Sequence, residues 1–136
     1  MLASATLLVG CSTSDHRLYG RWKSNKALSV ASFHPRKPIS PEKRAKFESI
    51  FGNLVIEYDH THLTCQLPQP NGLPPYLYRS RYKIVASDDT SLVCISKNLI
   101  TGKSEIEHIH FDGPNRYWIY LLNSGWKEYF DRIKAK

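Results

Sequence analysis

Among its 136 residues the chain has no apolar run near the roughly 20 residues that a membrane-spanning helix needs, which excludes an integral helical membrane protein. Cysteine is scarce. Cys11, Cys65 and Cys94 are too few for a disulfide scaffold, and their spacing suggests no structural zinc site. The chain also lacks a Gly-rich phosphate loop and a G-x-S-x-G turn, so neither a P-loop nucleotide site nor a serine-hydrolase elbow is present. Acids are nearly missing from residues 17–46, where nine Lys and Arg face Glu42 alone, and this segment accounts for the net charge of +7. What remains is 41% hydrophobic and 12% aromatic, enough for one packed domain and against disorder.

Most of that domain reads as strands. Leu18–Lys23 alternates as a first strand, and Ala27–Phe33 reads as an extended connection. Ser40-Pro41-Glu42 is a helix start, with a hydroxyl cap, proline at the first helical position and an acid in the first turn. The helix is expected to run through Phe51, with Phe47, Ile50 and Phe51 towards the core and Gly52 as its stop. Seven further strands follow: 53–59, 62–67, 76–86, 90–97, 103–111, 116–122 and 126–133. A Pro/Gly loop, Pro68–Pro75, separates the third from the fourth, and short turn clusters separate the rest. Eight short antiparallel strands in sequence predict a mostly β fold, an up-and-down barrel with one helix after the first strand.

Two resemblances attach to specific residues. Leu8-Val9-Gly10-Cys11, after the apolar run from Leu2, resembles the lipobox of bacterial lipoproteins. It implies a signal segment over 1–10, lipid on Cys11, a polar tether over 11–16 and one barrel domain over 17–136. No charged residue precedes Cys11, so the signal segment is expected to be truncated at its start. Ser12 rather than Asp after the Cys resembles the signal for outer-membrane sorting, with the domain facing the periplasm. Gly20-Arg21-Trp22 is similar to the G-x-W signature of the calycins, the lipocalin and fatty-acid-binding group. That likeness implies that Trp22 plugs one end of the barrel and that Arg132, on the last strand, packs across its ring as structural closure.

Candidate chemistry is sparse. His60/His62 and His108/His110 are His-x-His pairs, and two residues apart on a strand share a face. No third ligand is evident, so solvated histidines are expected rather than a metal. Cys65 and Cys94 lie in apolar strand patterns that raise a thiol pKa, and an intervening strand should keep them apart, as unpaired buried thiols. Glu105, Glu107 and Glu128 lie on strands without forming an evident acid–base pair. The expectation is therefore a non-enzymatic protein without a cofactor, and an exported lipoprotein has little occasion to meet nucleic acid. Aromatic weight in the second half suggests a pocket lined by Tyr58, Tyr78, Tyr82, Trp118 and Tyr120 for a small hydrophobic or amphipathic ligand. The competing reading is a filled barrel that binds a protein, an inhibitor or immunity protein against an envelope-acting enzyme, through the exposed Leu73 loop. The basic segment 17–46 is expected to meet the membrane beside the lipid, the alternative being a solvated basic face with no target.

Overall fold

Alternation of inward and outward side chains carries eight strands once around a closed barrel in a computed structural model that describes residues 15–98, 101–121 and 125–134. The strands are β1 (Gly20–Asn25), β2 (Val55–Tyr58), β3 (His62–Leu67), β4 (Tyr76–Ser87), β5 (Ser91–Lys97), β6 (Ser104–Phe111), β7 (Arg116–Leu121) and β8 (Trp126–Ile133). Each pairs antiparallel with the next, and β8 returns to β1 with Trp22 opposite Arg132. The expected strand count, order and closure hold. Cys11 and the rest of the presumed signal and lipid segment lie outside the described residues, as does Leu122 at the end of the seventh predicted strand.

The first strand begins later than its alternation suggests. His16–Leu18 forms one 3-10 turn, capped by the Asp15 carboxylate, and this drops Leu18 into the core before β1 starts at Gly20. A second correction concerns the segment read as an extended connection. Lys26–Ala31 is a short helix, α1, with Asn25 as its N-cap accepting from the Leu28 amide at 3.0 Å. Ser29 and Ser32 hold it against β8: their hydroxyls accept from the amides of Tyr129 and Lys127 at 2.9 and 3.1 Å. This contact is tertiary, and no local periodicity announces it.

The helix start at Ser40-Pro41 is as expected, and the Ser40 hydroxyl accepts from the Lys43 amide at 3.2 Å. The helix, α2 (Pro41–Glu48), ends before Phe51. Because the chain turns there, Phe51 is buried but Ile50 points to solvent, contrary to its expected place in the core. Phe33, Phe47 and Trp126 pack together with ring centroids 4.0 to 4.7 Å apart, Trp126 edge-on to both Phe rings, which seats α2 over one end of the barrel.

Inside, Leu18, Trp22, Leu92, Ile109, Tyr117 and Phe130 are fully buried. Each contributes roughly 1.5–3 kcal/mol of burial or more. Two loops at this filled end are tightened alike: the Asp59 carboxylate accepts from the amides of Thr61 and His62, and that of Asp88 from Thr90 and Ser91. Among the described residues β6 and β7 pair at just two positions, His110 with Trp118 and Phe111 with Tyr117. Among the described residues no further pairing of these two strands continues towards the helix-covered end.

Candidate functional site

The filled end is organised by Trp22. Its indole N–H donates to the Leu18 carbonyl at 2.8 Å, and the guanidinium of Arg132 lies 4.2 Å from the ring centroid. Arg132 also donates to the carbonyls of Arg17 (2.6 Å), Tyr19 and Pro114 (3.2 Å). One side chain thus ties the last strand to the segment before β1 and to the β6–β7 turn. Gly20 is required beside it. Its φ is +114°, and a Cβ there would lie 3.0 Å from Arg132 Nη1.

Beyond this plug lies a cavity of about 190 Å³ in the half of the barrel nearer α2. Its apolar wall includes Ile56, Leu63 and Ile119; Tyr58, Tyr78 and Tyr117 add aromatic surface, and Glu105 and Glu107 enter from β6. Among the described residues no Lys, Arg or His lines it. Burial, reinforced by the charges of Glu105 and Glu128, pushes the Glu107 carboxyl up to about 7. Glu128, on β8, is buried and raised by desolvation, while its hydrogen bond from the Ser24 hydroxyl at 2.8 Å acts the other way. Glu105 accepts from the Asn98 amide at 2.7 Å.

The two thiols facing this space are free, and β4 runs between them. Burial pushes Cys65 up to about 11 and Cys94 up to about 12, so both are protonated and poorly nucleophilic near neutral pH.

The proposed lining residues divide. Tyr58 and Tyr78 line the cavity. Tyr82 also points inward, but its hydroxyl is tied to the Asp59 carbonyl at 2.5 Å and its ring packs edge-on against Tyr58 as part of the core. Trp118 and Tyr120 do not line the cavity. Both strand faces of β7 are aromatic or apolar, and the register that sets Tyr117 against Phe130 turns Tyr117 and Ile119 inward, leaving Trp118 and Tyr120 outside. There Trp118 stacks on His110 at 4.0 Å and carries the Lys127 ammonium at 4.1 Å.

The acids of β6 are the functional candidates that the sequence reading passed over. Their signal was present: Glu105 and Glu107 share the parity of Ile109 and Phe111, the apolar face of that strand. The histidine pairs stand outside the cavity. His60 meets the Tyr19 hydroxyl at 2.9 Å and His62 the Thr61 hydroxyl at 2.7 Å, while His108 contacts the Ser91 hydroxyl at 3.0 Å. Among the described residues no three potential ligands converge on a metal position.

No protein-family model matches the chain, and no curated protein matches it either. Fold and site therefore define its class by themselves: a closed eight-stranded up-and-down barrel, filled and plugged at one end, with a small carboxylate-bearing cavity at the other.

Proposed function

We propose that this is a lipid-anchored envelope protein whose calycin-like barrel binds a small amphipathic molecule and performs no chemistry on it. The observation that carries the reading is the cavity itself: apolar and aromatic walls with two carboxylates and, among the described residues, no basic side chain. Such a lining suits a ligand with an apolar body and a donor or cationic head. Its volume, below the roughly 300–1,000 Å³ usual for drug-sized pockets, limits the ligand to a small one. The G-x-W residues, the Arg132 packing and the plugged end support the calycin likeness, and the lipobox-like residues up to Cys11 support the anchor and the periplasm-facing, outer-membrane location.

Native mass spectrometry on the full chain carrying Cys11→Ser, made in a bacterial periplasm and purified gently, tests this. A reproducible small adduct that Glu107→Gln weakens is the expected result. Bare protein that takes up neither apolar nor amine probes would overturn it. The small volume and the densely filled half of the barrel favour one rival, a barrel that acts purely by binding an envelope protein such as a toxic or wall-targeted enzyme. That rival gains from the bare-protein outcome.

A further inference from the structure

Four of the eight large apolar side chains exposed among the described residues belong to one hairpin, the β3–β4 connection: Leu67, Leu73, Tyr76 and Leu77. The hairpin has a defined shape. Asn71 and Gly72 both adopt positive φ at its tip, the Leu73 amide donates to the Pro70 carbonyl, and the Gln69 side chain donates to the Pro74 carbonyl at 2.8 Å. Leu73 is thereby held at the tip, 55% exposed.

The outer wall that leads to this hairpin is basic. Register places Lys23, Val55, Gln66 and Leu77 in one row across β1 to β4, with Arg21, Glu57, Thr64 and Arg79 in the next. Arg81 and Lys83 continue the outward face of β4. Arg21 and Arg79 have acidic neighbours at 3.9 and 3.8 Å, and among the described residues no ion pair engages Arg81 or Lys83. A groove of about 240 Å³ runs between Arg21 and Lys23 on one side and Pro68 and Pro75, at the hairpin base, on the other. Glu128 is buried and Glu107 half-buried, so these two acids do little to offset the cations of the outer wall.

We propose that this wall docks on a bilayer containing anionic phospholipid, with the hairpin tip entering the interface and the cations of β1 and β4 meeting phosphate groups. An exposed Leu73 on the turn and exposed Leu67, Tyr76 and Leu77 on the strand ends beside it, with cations on the adjoining wall, match an interfacial contact, in which apolar burial and about 1 kcal/mol per well-placed cation act together. The contact is separate from the cavity and independent of lipid on Cys11. It also differs from a patch made by segment 17–46, whose cations the fold disperses. Arg17 is paired with Asp15 at the plugged end, Arg21 and Lys23 stand on the β1 wall, and Lys43, Arg44 and Lys46 lie on α2.

The test is sedimentation of the full Cys11→Ser chain with vesicles of phosphatidylcholine alone or mixed with phosphatidylglycerol. Binding is expected to the mixed vesicles and to weaken with salt. Arg81→Glu/Lys83→Glu should lower affinity tenfold or more, as should Leu73→Ser/Leu77→Ser, all at exposed positions where circular dichroism verifies the fold. Lys43→Glu/Lys46→Glu, with the same change in net charge on α2, should change it less than threefold. Failure to bind anionic vesicles would overturn the proposal and leave the wall to an acidic protein partner. Equal loss in the α2 variant, or no loss in the leucine variant, would overturn it as well.

Discussion

The guanidinium of Arg132 lies 4.2 Å over the indole of Trp22, directly across the β1–β8 seam that closes the barrel. The same side chain reinforces closure by holding three carbonyls, two from the segment before β1 and one from the β6–β7 turn. Arg132→Ala should destabilise the fold by about 2–4 kcal/mol, since it removes the ring contact and leaves those carbonyls without their donor. Arg132→Lys should recover less than half, because an ammonium cannot reach three carbonyls from one plane. Urea unfolding with an unchanged slope measures both.

Gly20→Ala tests the same corner from the backbone side. A side chain at φ +114° is strained, and its Cβ meets Arg132 Nη1 at 3.0 Å. A loss of about 1–3 kcal/mol is expected. Combined with Arg132→Ala the two losses should fall short of additive, because the second change removes the clash.

Glu107 sets a pH dependence of unusual sign. Its carboxyl is raised from 4.5 to about 7 on folding, so the folded state holds the proton more tightly than the unfolded chain does. Its contribution is complete below about pH 4.5 and is lost as pH rises through about 7. Glu107→Gln should flatten this part of the stability profile and raise stability at pH 8 by roughly 1–2 kcal/mol, after allowance for its partial exposure. Thermal unfolding of both proteins across pH 4 to 9 shows whether the slope belongs to this residue.

The thiols make a kinetic prediction. In a Cys11→Ser background at pH 8, iodoacetamide should leave Cys65 and Cys94 unmodified in the folded protein and alkylate both in denaturant. Burial raises their pKa values to about 11 and 12. Rapid labelling of Cys94 under native conditions would contradict its placement in the core.

Helix α2 buries no residue of its own completely and is held through Phe47, between Phe33 and Trp126. Phe47→Ala should release it. Amide exchange over residues 41–48 should accelerate at least tenfold while the β7–β8 amides keep their protection.

Much of this fold is legible in the residues: eight strands, their order and the helix start at Ser40-Pro41, while the packing of Arg132 on Trp22 is implied by the G-x-W resemblance. Strand alternation and turn chemistry are local, and an antiparallel meander adds no long-range choice until its ends meet. Three features needed the tertiary structure. In β7 both faces are apolar or aromatic, so only the register of Tyr117 against Phe130 decides that Trp118 and Tyr120 lie outside. The helix Lys26–Ala31 is held in place by β8 amides that donate to the hydroxyls of Ser29 within it and Ser32 at its C-cap. The carboxylates of Glu107 and Glu128, on two strands, come within electrostatic reach of each other, and cations dispersed along the chain make one wall, because closing the barrel assigns each strand's two faces to opposite environments.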